Sequence, residues 1–359
     1  MSSRTFVIPT DGLEGDGTLE WEATTMVVVE VVAGNVRGIG WTYASAACRD
    51  VIEETLAHVV LGSSALSIAH CHEEMVRACR NFGRPGVVSC AISAVDIALW
   101  DCKARLLGLP LSELIGRYQD SAPIYGSGGF TTYDETTARA QLEQWVHQWA
   151  IPRVKIKIGE SWGSCERRDV ERTELAREAI GPKAELYVDA NGAYTRKQAI
   201  RVGRQLDECA AVTWLEEPVS SDDLIGLHEV RDQVVVDVAA GEYGYDETYF
   251  ARMVAANAVD CLQVDVTRCG GYTSWLRAAA LAHAHGLDVS AHCAPNLHAH
   301  VAVCVPNLRH IEYFHDHHRI ETSLFDGALS PMGGNLQPTD ALGHGMTLKE
   351  SDAARWRCA

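Results

Sequence analysis

From residue 122 onward the sequence repeats one pattern, a short apolar run followed by a stretch with helical periodicity. Eight such runs occur, namely PIYGSGG, VKIKIG, ELYVDANG, VTWLEEP, VVVDVAAGE, CLQVDVT, LDVSAHC and HIEYF. Strands that alternate with helices are typical of βαβ units and a parallel sheet. Eight strands in about 200 residues predict a (β/α)8 TIM barrel. A doubly wound sheet fits less well, because no G-x-G-x-x-G follows the first run.

The part of the chain before the barrel follows a different pattern. Residues 24–46 alternate as strands do around the turn AGN, which predicts a β-hairpin. Residues 89–116 have apolar positions at helical spacing until Gly108 and Pro110 interrupt them. We therefore expect three parts: a small α+β domain over residues 1–118, the barrel over residues 119–325, and a C-terminal segment, residues 326–359, that packs on the first domain.

Composition narrows the class of partner. The 359 residues are 47% hydrophobic, which is enough for a full core, and the formal net charge is -17. No basic stripe or tail occurs, which disfavours a nucleic acid or an anionic membrane as partner. The N-terminus lacks a signal-peptide pattern and no apolar stretch is long enough to span a bilayer, so we expect a cytoplasmic protein. The twelve cysteines lack any C-x-x-C spacing and are expected to be reduced.

Charged or titratable residues stand at the ends of seven of the eight runs. A TIM barrel has its active site at the carboxyl ends of the strands, so these side chains are expected to share one mouth. Three carboxylates on consecutive strands suit Mg²⁺, whereas any one alone is more often a helix cap or a solvated acid. The seven are separated by 20 to 32 residues, about one βα unit each: Lys157, Asp189, Glu216, Glu242, Asp265, His292 and Glu312.

Lys155 and Lys157 lie two residues apart in the second run and so share one face of the strand. Two neighbouring ammonium groups disfavour each other's charge, so one is expected to have a pKa lowered toward that of a working base. The other would remain a cation and hold an anion. The alternative is a pair of surface lysines on an edge strand.

Asp265 and His292 end adjacent strands, where the carboxylate can accept a hydrogen bond from one ring nitrogen and make the other more basic. Glu312 is either a protonated hydrogen-bond donor to substrate or a structural acid. Nine of the fifteen histidines fall between residues 283 and 318, a density that raises the possibility of a zinc site. Most are expected to be helix or loop residues, with His298 or His315 as further candidates for substrate contact.

Taken in order, the motifs VKIKIG, VDANG, WLEEP, AAGE, DVTRCGG, SAHC and IEYF resemble the enolase superfamily, specifically its mandelate racemase subgroup. The segment ISAVDIALWDCKARLLGLPLSELIG resembles a helix of that family's capping domain. The resemblance covers nearly the whole chain. It implies a modified (β/α)7β barrel with an α+β capping domain. In this superfamily a Lys or His base works with Mg²⁺ to stabilise an enediolate.

The resemblance also implies a role for each site residue. Asp189, Glu216 and Glu242 would be Mg²⁺ ligands, and Lys157 and His292 would be bases on opposite faces of the substrate. Asp265 would orient His292, Lys155 and Glu312 would contact the substrate carboxylate, and Asn191 would lie near the substrate. The muconate-lactonizing and succinylbenzoate-synthase branches have a lysine at the position of Asp265, so the Asp-His pair argues against those branches.

The expected reaction is dehydration of an acid sugar to a 2-keto-3-deoxy acid, a preference that rests on analogy with the subgroup. The main alternative is a racemase or epimerase of an α-hydroxy acid, and the remote ones are a non-catalytic metal or carboxylate-binding barrel and a zinc hydrolase. Residues 10–24 are interpreted as an acidic loop that closes over the mouth, which favours a monoacid sugar over a diacid unless the loop is merely solvated. The partners expected are a small carboxylate and further copies of the chain in a homo-oligomer.

Overall fold

The computed structural model describes residues 1–358. The chain opens with one antiparallel sheet in the order β1-β2-β3, formed by β1 (Ser2–Gly15), β2 (Glu20–Ala33) and β3 (Val36–Tyr43). The predicted hairpin is present as β2 and β3. The interpretation of residues 10–24 as a loop is wrong, because they form the end of a β1-β2 ribbon that turns at residues 16–19. Its pairing shifts register between Pro9 and Glu14, and such an irregularity breaks the two-residue alternation by which strands are recognised.

Five helices follow the sheet, with a π-helical turn (Ile52–Leu56) between the first two. They are α1 (Ala47–Val51), α2 (Ala57–Val60), α3 (Ile68–Ala78), α4 (Val87–Leu107) and α5 (Leu111–Ile115). The long α4 lies directly on β3, where a Cβ added at Gly40 would come 2.4 Å from the carbonyl oxygen of Ala94. Glycine is therefore required for this approach. As the sequence predicts, α4 ends at Gly108, which has the left-handed φ of 69°.

A closed barrel of eight parallel strands forms the centre, and all eight predicted runs are confirmed as strands. They are β4 (Ala122–Gly128), β5 (Arg153–Lys157), β6 (Glu185–Asp189), β7 (Val212–Glu216), β8 (Asp237–Ala240), β9 (Cys261–Val264), β10 (Asp288–Ala291) and β11 (Leu308–Phe314). Each pairs with the next, and β11 pairs with β4 to close the ring.

The connections between the strands are helical. They are α6 (Glu135–Glu143) with a π-helical turn (Gln144–Gln148), the single turn α7 (Glu160–Gly163), α8 (Glu166–Ile180), α9 (Arg196–Ala210), α10 (Leu224–Gln233), α11 (Glu247–Ala255), α12 (Gly271–Ala284) and α13 (Pro295–Ala302); α14 (His315–Leu324) follows β11. Apolar side chains from strands and helices form one extensive buried core. None of the helices described in residues 1–358 combines the length and the hydropathy that a membrane span requires.

The C-terminal residues return to the N-terminal sheet. They form β12 (Phe325–Asp326), β13 (Asn335–Leu336), β14 (Thr347–Leu348), α15 (Glu350–Ala353) and a 3-10 turn (Ala354–Trp356). The backbone N–H of Cys358 donates to the carbonyl of Thr5 at 2.9 Å. His344 is fully buried, with Nε2 2.8 Å from the carbonyl oxygen of Ile39. This segment therefore joins the first sheet to the barrel.

Candidate active site

The residues singled out at the strand ends all lie at the carboxyl end of the barrel. Lys157, Asp189 and Glu216 are the last residues of β5, β6 and β7. Glu242, Asp265 and His292 follow β8, β9 and β10 within two residues, and Glu312 lies in β11. Each of these residues, and Lys155, is at most 5% exposed. Buried charged groups need partners of opposite charge, and the acidic and basic side chains of this cluster are partners of one another.

Three carboxylates converge in this cluster. One oxygen each from Asp189, Glu216 and Glu242 can be chosen so that all three lie within 4.8 Å of one another. Burial, together with the neighbouring carboxylates Asp189 and Glu312, raises the pKa of Glu216 to about 8 against the opposing effect of Lys155. Crowded buried carboxylates of this kind favour a cation between them, and their hard oxygens fit Mg²⁺.

A second set of possible metal ligands, His292, Cys293 and Glu312, lies close by. Burial raises the pKa of the Cys293 thiol far above its ordinary value. Zinc binding here would require deprotonation of this buried thiol, which lowers the apparent affinity of this set for the metal. The donor chemistry therefore favours the three carboxylates over a zinc centre.

The two lysines do not behave as the sequence predicts. Burial opposes the charge of Lys155, but Glu216 and Glu312 outweigh it and raise the pKa of Lys155 well above its ordinary value. Lys155 Nζ contacts Glu216 Oε1 and lies 2.8 Å from Glu312 Oε1. Burial also opposes the charge of Lys157, and its ion pair with Asp189 again raises the pKa. The expected lowering by lysine–lysine repulsion is therefore wrong for this structure, because the carboxylates of other strands dominate.

His292 is held by the predicted carboxylate. Its Nδ1 lies 2.8 Å from Asp265 Oδ2, and its Nε2 faces Glu242 at 3.2 Å. Burial opposes protonation of the ring, but Cys293, Glu242 and Glu312 outweigh it and raise the pKa of His292. Asp265 thus orients an imidazole whose protonated form is favoured by the surrounding carboxylates.

Glu312 accepts hydrogen bonds in this structure, whereas one of the two sequence interpretations made it a protonated donor to substrate. Ser127 Oγ donates to its Oε1 at 2.6 Å, and the backbone N–H of Cys293 donates to its Oε2 at 3.0 Å. Burial would raise its pKa, but Lys155 and His292 outweigh burial and lower the pKa below the ordinary value. Glu312 therefore acts as an ionised partner of these two cations.

Asn191 contacts the carboxylate cluster through its backbone. Its backbone N–H donates to Asp189 Oδ1 at 2.9 Å, which orients that carboxylate. Its φ of 46° is left-handed, a conformation that asparagine tolerates better than most residues. Its side-chain Oδ1 is buried without a hydrogen-bond partner among the described residues.

A cavity of about 370 Å³ opens above these groups. Lys157, Asn191, Glu242 and His292 line it from the barrel, and Trp21, Thr24 and Tyr43 line it from the N-terminal sheet. The turn of the β1-β2 ribbon is seated on the barrel loops, since Trp162 N–H donates to the Gly17 carbonyl at 2.9 Å and Thr131 N–H to the Gly15 carbonyl at 2.8 Å. The ribbon therefore closes one side of the mouth.

Arg268 and His317 are among the cavity residues that sequence reasoning missed. Arg268 lies 3.1 Å from Glu242 and 3.4 Å from Asp265, and His317 stacks on Tyr43 with the ring centroids 3.5 Å apart. Arg268 follows Asp265 by three residues in DVTRCGG, a spacing that was available as a signal. Neither His298 nor His315 lines the cavity. His298 bridges the Cys293 carbonyl and the Val266 N–H, so it supports the site from behind.

Comparison with known proteins agrees with this geometry. Residues 137–352 match the family described as enolase C-terminal domain-like, and residues 17–116 match the mandelate racemase / muconate lactonizing enzyme N-terminal domain. An L-talarate/galactarate dehydratase of Salmonella typhimurium is 32% identical over 325 residues, which cover 89% of this chain and 79% of the relative.

Two solved structures are similar over almost the whole chain. A mandelate racemase/muconate lactonizing enzyme-like protein from Rubrobacter xylanophilus is 47% identical with a TM-score of 0.96, covering 99% of this chain and 98% of that one. A racemase from Streptomyces coelicolor with bound magnesium is 27% identical with a TM-score of 0.93 and the same coverage. The barrel, its strand-end side chains and these matches agree, and the chain belongs to the mandelate racemase subgroup of the enolase superfamily.

Proposed function

We propose that this protein removes the proton next to the carboxylate of an acid sugar and then eliminates water to give a 2-keto-3-deoxy acid. One observation carries the proposal: Lys157, His292 and Glu242 line the same cavity. Asp189 and Glu216 lie beside Glu242, so that the three carboxylates could hold one metal ion. A lysine and an imidazole in one cavity supply one group to accept a proton and another to donate one. The name of the Salmonella typhimurium relative, a dehydratase, supports water loss as the outcome.

We assign Asp189, Glu216 and Glu242 as ligands of Mg²⁺, and the magnesium-bound Streptomyces coelicolor structure supports this. Bound there, Mg²⁺ would offset the charge of the three carboxylates and stabilise the negative charge that develops on the substrate carboxylate. Lys155, held between Glu216 and Glu312, keeps a positive charge next to that carboxylate. Asn191 offers its unpartnered Oδ1 to a substrate hydroxyl.

Lys157 and His292 then carry out two different proton transfers. Lys157 accepts the α-proton once the charge of Asp189 is compensated, and the electrons of the C–H bond move onto the carboxylate to give an enediolate. His292, whose pKa is raised by the neighbouring carboxylates, donates its proton to the hydroxyl on the neighbouring carbon, and that C–O bond breaks as water leaves. The resulting enol tautomerises to the keto acid. Asp265 keeps the ring of His292 oriented throughout.

The second candidate is racemisation or epimerisation. If His292 returns its proton to the α-carbon instead of to a hydroxyl, the configuration inverts and no water is lost. The similarity to a Streptomyces coelicolor protein called a racemase favours keeping this candidate. Both reactions begin with the same proton abstraction.

We propose a monoacid sugar rather than a diacid. The cavity is lined by Asp16 and Asp316 in addition to the catalytic groups. Its basic side chains, Lys157, Arg268 and His292, are each already paired with carboxylates of the site. A second substrate carboxylate would therefore meet acidic side chains, whereas hydroxyl groups can donate hydrogen bonds to them. The Salmonella typhimurium relative is named for galactarate, which is a diacid. A preference of this chain for monoacids would therefore distinguish its substrate from the one in that name.

The test is incubation with acid sugars and α-hydroxy acids in D₂O with Mg²⁺, following keto product and deuterium at the α-carbon. Keto product indicates dehydration, and deuterium with inversion alone indicates racemisation. Turnover of diacids only would contradict the monoacid assignment. Lys157→Ala and His292→Asn should each stop product formation, while Lys183→Ala, a lysine that is absent from the cavity lining, should not. Activity that survives both site variants would contradict the proposed function.

The division of the chain into residues 1–118, 119–325 and 326–359 remains a proposal, as do self-association and a cytoplasmic location. Exposed apolar side chains on the N-terminal part, Val32, Leu61 and Leu66, support self-association. All twelve cysteines are free, which supports a reducing compartment. Light scattering of the purified protein tests the oligomeric state.

A further inference from the structure

A second cavity adjoins the catalytic cavity at the barrel mouth. Its volume is about 580 Å³, against about 370 Å³ for the catalytic cavity. The two share Leu19 of the ribbon turn, Asn191 and Tyr243 as lining residues. Cavities of about 300–1,000 Å³ hold a whole small-molecule ligand. The catalytic cavity alone therefore has room for an acid sugar, and the second cavity, which we call the annex, is additional space.

Aromatic side chains form much of the annex wall. Trp162, which is 67% exposed, comes from the turn α7 after β5, and Tyr243, Tyr245 and Tyr249 come from the segment after β8. Trp162 and Tyr243 are exposed, whereas Tyr245 and Tyr249 are half-buried, and such rings offer flat apolar faces that end in polar groups. The apolar C–H face of a sugar ring is complementary to such a surface.

The conformation that exposes Trp162 is strained. Both Ser161 and Trp162 have left-handed backbone angles, with φ of 55° and 58°, although neither is glycine. The Trp162 N–H donates to the Gly17 carbonyl of the ribbon at 2.9 Å, which helps to hold this conformation. Strained backbone at the lip of a functional cavity is a common sign that the side chain is being positioned. A tryptophan without a binding role would not require a strained backbone conformation.

The charged groups of the annex are mainly carboxylates. Glu217 lines it, is 1% exposed, and its Oε1 has no hydrogen-bond partner among the described residues. Asp222 and Asp246 add carboxylates, against the single cation Arg252 in the lining. An anionic ligand would be repelled by this excess of carboxylates, whereas the hydroxyl groups of a neutral sugar would donate to them.

We propose that the annex binds a neutral sugar ring attached to the acid that occupies the catalytic cavity, so that the substrates include glycosylated aldonates. The ring stacks on Trp162 and donates hydroxyl hydrogens to Glu217, while the acid end reaches Lys157 past Asn191 and Tyr243. This inference rests on the proposed function for the acid end and extends it to a substrate class.

The test compares binding of gluconate with that of three 4-O-glycosyl gluconates, maltobionate, cellobionate and lactobionate, by calorimetry with Mg²⁺ present. At least one glycosylated acid should bind roughly ten-fold more tightly than gluconate. Trp162→Ala should abolish this preference, so that the glycosylated acid binds no more tightly than gluconate. Trp162→Gly, which removes the ring but suits the left-handed backbone, should do the same. The matched control is Tyr118→Ala, since Tyr118 is 65% exposed and lies outside both cavities.

The inference is overturned if none of the three glycosylated acids binds more tightly than gluconate, or if the preference survives both changes at Trp162. The proposed function fails in a different way, when acids that bind yield neither keto product nor deuterium exchange. A preference that depends on Trp162 without turnover would therefore support the annex while contradicting the proposed chemistry.

Discussion

Replacement of Glu14 by glutamine is expected to stabilise the protein at alkaline pH but not at acidic pH. Glu14 lies in the β1-β2 ribbon and is fully buried, with Oε2 accepting a hydrogen bond from Trp21 Nε1 at 3.0 Å. Its Oε1 has no hydrogen-bond partner among the described residues. Burial is the largest cause that raises the pKa of Glu14 from 4.5 to about 8, and Asp316 raises it further.

The sign follows from proton linkage. Below pH 4.5 the carboxyl is protonated in both the folded and the unfolded chain, so its shift does not affect stability. Between pH 4.5 and 8 the folded chain keeps a proton that the unfolded chain has lost, so the free energy of unfolding falls as pH rises. At about 1.4 kcal/mol per pH unit the upper limit of this loss is about 5 kcal/mol. We expect about 2 kcal/mol, because the ribbon can relax and admit water around the ionised group.

Urea unfolding at pH 5 and pH 8 measures the effect. Glu14→Gln and the natural protein should have similar stability at pH 5, whereas at pH 8 the variant should be more stable by about 2 kcal/mol. The matched control is Glu22→Gln on the same ribbon, because Glu22 is exposed. Its replacement should leave the free energy of unfolding nearly unchanged at both pH values. A stability difference for Glu14→Gln that stays constant from pH 5 to pH 8 would refute the reasoning.

Four further results are expected. Asp265→Asn should lower kcat about 10- to 150-fold, because the charge-assisted bond to His292 contributes about 1.5–3 kcal/mol, while Lys157-dependent exchange of the α-hydrogen with D₂O continues. Chelation should abolish turnover and Mg²⁺ should restore it, with recovery by Zn²⁺ alone speaking against the carboxylate site. Gly17→Ala should raise KM, because its Cβ would come 2.5 Å from the Ile158 carbonyl oxygen and displace the ribbon, and an unchanged KM would contradict that contact. Ser161→Gly should raise the free energy of unfolding by about 0.5–1 kcal/mol, measured by urea, because it relieves a left-handed φ.

The capping region illustrates where sequence patterns stop being informative. Helix α4 and its end at Gly108 follow from periodicity and one glycine. The β1-β2 ribbon was missed because its register shift and its Asp and Gly residues resemble a loop, although the strands extend to Gly15 and Glu20. The pairing that makes these residues strands comes from a partner segment and from barrel loops more than a hundred residues away, such as Thr131.

The sequence by itself determined the alternation of strands and helices and the titratable residues at seven of the eight strand ends, because both are local patterns repeated along the chain. Only the tertiary structure decided how those groups are charged. Lys157 is an ion-paired ammonium group rather than a free base, because Asp189 comes from the neighbouring strand. The entry of Arg268 and His317 into the cavity, and the position of Trp162 in the annex, likewise depend on distances across the barrel mouth. Electrostatic and packing energies depend on those distances, which no spacing along the chain specifies.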